Sequence, residues 1–280
     1  MYSKSKAGLL MVILLTFPLS GCLTDRAIEA IESNDPCSTD IQVRESDGTL
    51  KILTYDIAGF SDELIAQFVN QTGTDVEFIR TDDAGGILDQ MMLTKASPQA
   101  DLMIGLDNTY LPTAIQNCLL MANNVSDESF TQSSLEFYQG PLAVPFDEGD
   151  VCLNYDEDAL VANNMTVPTS LWNLTEPEWN GKVTFPSPMT SSPGRAFLAA
   201  TVDYFGHEPG NQSGDMASWW TAMAQNGAIF TTGWSESYVT YYTGGYGEYM
   251  EGYIGGAYLT VSYCHSPGVE AYYAENYTHS

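Results

Sequence analysis

Segments with strand-like and helix-like patterns alternate along the first third of the chain, and this alternation constrains the fold more than any other feature. Apolar runs typical of strands exchange with stretches of helical spacing in the order 50–55, 62–70, 75–80, 85–92 and 100–106. Ser61 is a suitable N-cap for the first helix, and Gly73 is a suitable residue to end it. A β-α-β-α-β order predicts an α/β fold with a parallel sheet covered by helices.

A second series follows after an extended crossing. We predict strands at 151–155, 182–185 and 255–263, a helix start at 168–173, a helix opening at 191–194 and an interrupted helix over 203–225. Two α/β lobes, 50–143 and 144–262, fit this pattern better than one domain. Because ligands of open α/β sheets bind at the carboxyl ends of the strands, we expect a cleft between the lobes.

Acidic residues outnumber basic ones by 36 to 9, for a formal net charge of −27. This balance argues against nucleic acid as a partner and against docking on anionic lipid through a basic patch. Solvated carboxylates that keep the protein soluble explain the excess more simply than selection for a cationic ligand.

The N-terminus is typical of an exported protein. Lys4 and Lys6 precede a short apolar run, and the sequence Leu-Ser-Gly-Cys at 19–22 resembles a lipobox. We expect a signal peptide over 1–21, lipidation of Cys22 and a tether over 22–49, with an ordinary signal peptide or an uncut anchor as alternatives. The protein is then exported and held at the outer face of the cytoplasmic membrane or in the periplasm.

Four further cysteines remain in a compartment that favours oxidation: Cys37, Cys118, Cys152 and Cys264. An even number predicts two disulfides, and three pairings are open. Their spacing does not suggest zinc, so we expect no metal site.

Polar loops at predicted strand ends supply the first candidate site residues, because corresponding strand ends meet at one edge of a sheet. The loop at 82–86 also has glycines at a helix start, which is a potential anion cradle. These candidates are Tyr55, Asp56, Asp83, Gly85, Gly86, Asp107, Asn108, Ser191 and Ser192.

Aromatic residues in the segment 232–238 indicate the chemistry of the ligand. Trp234 and Tyr238 are four residues apart and therefore share a helical face, beside Glu236. Aromatic faces with a carboxylate hold a flat cationic ring well. A core role for both rings is the alternative. The sequence lacks a G-x-S-x-G motif, a P-loop and a dinucleotide fingerprint, so we expect a binding protein rather than an enzyme.

Several motifs together resemble the thiamine-binding subunit of thiamine ABC transporters. They occur in family order at 53–56, 83–86, 100–108, 144–149, 190–194, 233–238 and 261–267, and cover the chain from 50 to about 270. The resemblance implies a two-lobed, type II periplasmic-binding-protein fold with the ligand cleft between the lobes. It also implies a monomer without a cofactor that carries thiamine or its phosphates to a membrane permease and its ATPase subunit.

The resemblance assigns roles to the site. Tyr55 and Asp56 would approach from the first lobe. Asp83, Gly85 and Gly86 would lie near the hydroxyethyl or phosphate arm. The remaining ligand-binding positions are Asp107, Asn108, Asp147, Ser191, Ser192, Trp234, Tyr238 and Tyr263.

Two departures from the family pattern stand out. Glu148 and Asp150 occupy the region where the family has an aromatic residue. Family members also continue beyond the position of Ser280, return to the first lobe and supply a late tryptophan. We therefore expect 263–280 to begin this return and the chain to be truncated.

Two other ligands suit the same fold. A ferric-ion protein would use neighbouring tyrosinates, for which Tyr241 and Tyr242 are candidates. A polyamine protein would use carboxylates and aromatics in a slot, for which Asp82, Asp83 and Glu236 are candidates.

Overall fold

The computed structural model describes residues 37, 41–56, 58–126, 128, 130–137, 140–207 and 215–274. The predicted signal peptide and the predicted lipidation of Cys22 lie outside this part of the chain. Within it, no helix has the length and apolar character needed to cross a membrane.

The first lobe is built on a three-stranded parallel sheet, in the order β2-β1-β3. Its elements are β1 (Thr49–Tyr55), α1 (Asp62–Thr72), β2 (Asp75–Thr81), α2 (Ala84–Leu93) and β3 (Leu102–Met103), followed by α3 (Leu111–Gln116) and α4 (Gln132–Phe137). The hydroxyl of Ser61 accepts a hydrogen bond from the N–H of Leu64 (3.2 Å), and Gly73 ends α1 in the left-handed region. The predicted β-α-β-α-β order is confirmed.

The third strand is shorter than the predicted 100–106. Backbone bonds from Asp101 to Lys51 (2.9 Å) and from Ile104 to Leu53 (2.9 Å) hold the segment beside β1. Gly105 then takes a φ of 108°, which turns the backbone away from the sheet. A β-carbon at Gly105 would overlap the ring of Tyr55. The turn therefore places this tyrosine at the strand end.

The second lobe is built on a four-stranded sheet in the order β4-β7-β5-β6, in which only the β4–β7 pair is antiparallel. Its strands are β4 (Val151–Tyr155), β5 (Val183–Pro186), β6 (Ile229–Thr231) and β7 (Leu259–Tyr263). Its helices are α5 (Glu157–Ala162), α6 (Ser192–His207), α7 (Asp215–Gln225) and α8 (Ser266–Ala274), with 3-10 turns at Leu171–Thr175, Pro177–Trp179 and Tyr246–Tyr249 and a π-helix at Glu236–Tyr241.

Two local predictions for this lobe differ from the structure, and one strand was not predicted. The predicted helix start at 168–173 is a 3-10 turn, closed by a capping box between Ser170 and Asn173. The closing strand begins at Leu259 rather than at 255, because Gly255 and Gly256 both have positive φ. Strand β6 was not predicted, since three residues carry too little periodicity.

A disulfide joins Cys152 to Cys264 at the end of the β4–β7 pair. Cys37 and Cys118 are also disulfide-bonded. The expectation of oxidised cysteines in the body of the chain is confirmed.

A hydrophobic core of the second lobe combines aliphatic side chains with several aromatic rings. Trp219 is fully buried among Phe185, Phe197 and Phe205, and its indole N–H donates to the carbonyl of Leu171 (2.7 Å). The indole therefore contributes both apolar area and a satisfied buried donor.

Replacing Trp219 by alanine should lower the free energy of unfolding by about 3–5 kcal/mol, because it empties a packed site. Urea denaturation followed by circular dichroism measures the loss. Trp172→Ala is the matched control, since Trp172 is 36% exposed and should cost much less. Equal losses for the two variants would contradict this account of the core.

Candidate functional site

A cleft of about 1320 Å³ is lined by residues of both lobes. Nine predicted site residues line it: Tyr55, Asp83, Asp107, Asn108, Asp147, Ser192, Trp234, Tyr238 and Tyr263. The other four, Asp56, Gly85, Gly86 and Ser191, do not. The predicted site residues therefore fall into two groups, those that line the cleft and those that lie outside its lining.

Two tyrosines from different lobes stand among carboxylates in the cleft. Burial raises the pKa of the Tyr263 hydroxyl, and the charges on Tyr55, Asp107, Asp83 and Asp147 raise it further. The pKa of Tyr55 is raised by burial and then by Asp147 and Asp56. Tyr55, Tyr263, Asp83, Asp107 and Asp147 all line the cleft, so residues far apart in sequence come to one site.

Trp234 and Tyr238 stack on each other with ring centroids 4.7 Å apart and planes 13° from parallel. The indole N–H of Trp234 donates to the Ser262 hydroxyl (2.8 Å), and the Tyr238 hydroxyl donates to Glu270 (3.0 Å). The two rings are only 7% and 2% exposed. They are therefore largely core and form the floor of the cleft, so they do not stand as two free aromatic faces.

Asp83 links the lobes. Its Oδ2 accepts a hydrogen bond from the backbone N–H of Trp234 (2.8 Å), and a β-carbon at Gly233 would lie 2.6 Å from the same oxygen. Burial raises the pKa of Asp83 to about 7; the Trp234 N–H opposes the shift, and the charges of Asp56 and Asp82 add to it.

Asp56 and Gly85 make the neighbouring contacts between the lobes. The carboxylate of Asp56 accepts from the Ser235 hydroxyl (2.8 Å). The N–H of Gly85 donates to the carbonyl of Thr190 (2.8 Å). In the anion cradle expected at 82–86, the N–H of Gly85 is therefore already bonded to a protein carbonyl, and the Asp83 carboxylate lies beside it.

The two remaining predicted residues lie outside the cleft lining. A β-carbon at Gly86 would meet the Thr81 side chain at 3.1 Å, so this glycine packs on β2. Ser191 is fully buried, and its hydroxyl has no hydrogen-bond partner among the described residues.

Sequence reasoning missed several residues around the site. Glu270 and His265 line the cleft, and the His265 ring stacks on Tyr263 with centroids 5.4 Å apart. Tyr110 donates its hydroxyl hydrogen to the Met189 carbonyl (3.1 Å), while Arg195 lies 3.9 Å above its ring. No local motif marks these residues, because their roles arise from contacts between distant segments.

The residues considered for ferric-ion or polyamine binding do not form a comparable site. Tyr242 is 3% exposed, and burial raises the pKa of its hydroxyl, which disfavours the phenolate that ferric iron requires. No group of three or more His, Cys, Asp or Glu residues that could hold a metal ion occurs among the described residues. Glu236 accepts from the N–H and hydroxyl of Thr232 (2.8 Å each), and Asp82 is exposed.

The family model for bacterial extracellular solute-binding proteins matches residues 97–240, half of the chain. The chain belongs to this family. The thiamine-binding periplasmic protein of Escherichia coli K12 is 26% identical over 164 residues, 59% of this chain and 46% of the relative. That of Brucella suis is 27% identical over 194 residues, 68% of this chain and 54% of the relative. The solute-binding chain thus spans about half the length of these curated relatives.

Solved structures share the fold. A periplasmic thiamin binding protein matches with a TM-score of 0.58 and 24% identity, covering 81% of this chain and 66% of the other. A putative spermidine/putrescine ABC transporter protein from Listeria monocytogenes matches with a TM-score of 0.56 and 14% identity, covering 82% and 66%. The two-lobed, type II periplasmic-binding-protein fold expected from the sequence is confirmed.

The raised pKa of Asp83 makes stability depend on pH. Between pH 4 and 7 the folded protein holds a proton on Asp83 that the unfolded chain releases, so stability falls as the pH rises through this window. In urea titrations, the free energy of unfolding of Asp83→Asn should therefore fall less between pH 5 and pH 8 than that of the wild type. Glu178→Gln, at an exposed residue that does not contribute to the Asp83 shift, should keep the wild-type slope. An unchanged slope in Asp83→Asn would refute the assignment.

Gly85→Ala should separate the lobes. The added β-carbon would lie 2.7 Å from the Thr190 Cα and 2.8 Å from the Met189 carbonyl oxygen, which is too close for real atoms. We expect a larger radius of gyration in small-angle scattering and a stability loss of about 1–3 kcal/mol. Gly59→Ala is the control, since nothing lies within 4 Å of its β-carbon position. Identical behaviour of the two variants would contradict the contact.

Proposed function

We propose that this solute-binding protein binds thiamine in the cleft and delivers it to a membrane permease. The observation that carries the proposal is that Tyr55, Tyr263 and the carboxylates of Asp83, Asp107 and Asp147 line one cleft between the lobes. Thiamine has a cationic thiazolium ring and a flat pyrimidine, which suit aromatic side chains set among carboxylates. The thiamine-binding relatives support this choice.

The cleft would hold the cation chiefly by charge. Asp83, Asp107 and Asp147 line the cleft and place negative charge on its wall. A cation that enters the cleft would be attracted by these carboxylates and would stabilise their ionised forms. The stacked Trp234 and Tyr238 supply an apolar floor below it.

Transport would require partners. We propose that the permease and an ATPase subunit supply the energy, while this chain only captures and presents the ligand. The proposed lipid anchor at Cys22 would keep it near the membrane. A ligand that contacts both lobes would favour a closed arrangement of the lobes. The shift in free energy equals the difference between the ligand's binding free energies for the closed and the open arrangement.

A polyamine is the second candidate, because the cleft is acidic and a polyamine carries several positive charges. Calorimetric titration with thiamine, spermidine and ferric citrate separates the possibilities. We expect saturable binding of thiamine alone. Binding of spermidine without thiamine would replace the proposal by the polyamine alternative, and coloured, tight binding of iron would replace it by the ferric one.

Tyr263→Leu should weaken thiamine binding about 10-fold, or ~1.4 kcal/mol, because it removes the aromatic face and hydroxyl that the second lobe presents. Tyr258→Leu is the matched control: Tyr258 directly precedes β7, packs near Lys182 and does not line the cleft. Calorimetry on folded variants measures both affinities. Equal affinities for wild type and Tyr263→Leu would remove Tyr263 from the site.

A further inference from the structure

We propose that Asn164, at the end of α5 in the second lobe, is an acceptor for N-linked glycosylation. The modification uses Asn-x-Ser/Thr triplets in surface loops of exported proteins, and the family of this chain is extracellular. Six such triplets occur in the sequence, and they begin at Asn70, Asn124, Asn164, Asn173, Asn211 and Asn276. The last two lie outside the described residues, so the structure distinguishes among the first four.

Asn164 lies in the backbone turn that ends α5. Its φ of 53° is in the left-handed region, which asparagine adopts more readily than most residues. The N–H of Asn164 donates to the carbonyl of Val161 (3.2 Å), and the N–H of Met165 donates to that of Leu160 (2.9 Å). Met165 also packs against the core that contains Leu160. The fold therefore fixes the backbone at the acceptor and directly after it.

The two side chains that define this triplet are accessible. Asn164 and Thr166 are both exposed, and neither side chain is hydrogen-bonded within the described part of the chain. The turn at the end of α5 makes no use of the Thr166 hydroxyl. None of the residues 157–167 lines the cleft. A bulky saccharide on Asn164 would thus displace no protein contact and would leave the cleft open.

Asn173 begins a triplet in the same lobe, but its side chain is part of the fold. Its Oδ1 accepts from the backbone N–H groups of Thr169 and Ser170 (3.1 Å each), and its Nδ2 donates to Glu176 (3.2 Å). The hydroxyl of Thr175 donates to a backbone carbonyl of the same turn (2.7 Å). A saccharide on Nδ2 would disturb the capping box that closes this 3-10 turn.

The other two described triplets are less suitable acceptors. Asn70 lies within α1, where the hydroxyl of Thr72 donates to the carbonyl of Phe68 (2.9 Å). Asn124 lies in an exposed loop, but the residues on either side of it line the cleft. A saccharide there would stand at the edge of the ligand site. Among the described triplets, Asn164 alone combines a loop, exposed side chains and a place outside the cleft lining.

The proposed reaction joins a sugar to the side-chain amide of Asn164. Its Nδ2 attacks the anomeric carbon of an oligosaccharide that a lipid phosphate carries, in the active site of a membrane oligosaccharyltransferase. A C–N bond forms, the C–O bond to the phosphate breaks, and the lipid phosphate leaves with the electron pair. The Nδ2 gives up one proton to a base of the transferase, and nothing is oxidised or reduced.

Mass spectrometry of the full chain, purified from the cells that naturally export it, tests the inference. Chymotrypsin cleavage after Trp172 places Asn164 and Asn173 on different peptides. We expect the mass of one saccharide to be added to the Asn164 peptide and none to the Asn173 peptide. An unmodified Asn164 would overturn the inference. A saccharide on Asn173 would also overturn it, because the choice of Asn164 rests on the engaged side chain of Asn173.

Two variants of Thr166 separate the triplet from the turn. Thr166→Ala keeps Asn164 but destroys the triplet, so the mass of the exported protein should fall by one saccharide. Thr166→Ser keeps the triplet and should keep the modification. Both variants should unfold at the wild-type urea concentration, since Thr166 is exposed. A saccharide retained in Thr166→Ala would overturn the inference. The test involves no ligand, so its result is independent of the proposed function.

Discussion

The contact between the Asp83 carboxylate and the backbone N–H of Trp234 is the interaction on which the geometry of the site depends. It ties the start of α2 in the first lobe to the segment after β6 in the second. Holding an ionised carboxylate at this position costs free energy, since burial and the nearby charges of Asp56 and Asp82 disfavour it, whereas the Trp234 N–H stabilises it. The adjacent bonds from Gly85 to Thr190 and from Ser235 to Asp56 are uncharged or only partly buried. The lobes are thus joined by a contact that is sensitive to the local balance of charge.

Much of the fold was predictable because its signals are local. The alternation over 50–106, the cap at Ser61 and the left-handed Gly73 each depend on a few neighbouring residues, and all three are confirmed. Predictions were wrong where a backbone torsion overrode the apolar pattern. Positive φ at Gly105 shortens β3, and positive φ at Gly255 and Gly256 delays β7, although their flanking sequences remain strand-like.

The candidate site was predictable only to the level of which loops converge. Strand-end position brought Tyr55, Asp83 and Asp107 to the cleft, as expected for parallel strands. Local patterns do not distinguish a residue that lines a cleft from one that joins two lobes. Asp56 and Gly85 occur in the same loops as cleft residues, yet their partners are Ser235 and Thr190, more than 100 residues away. Tertiary contacts of that separation leave no periodic trace in the sequence.

The distribution of charge within the cleft matters more for ligand choice than the excess of −27 over the whole chain. Dispersed surface carboxylates are screened by water and salt, so the total says little about a ligand. Asp83, Asp107 and Asp147 line one cleft, where a cationic ligand would meet all three carboxylates. Arg44, which also lines the cleft, is paired with Asp101. The acidic composition thus affects ligand binding only through those carboxylates that the fold places in the cleft.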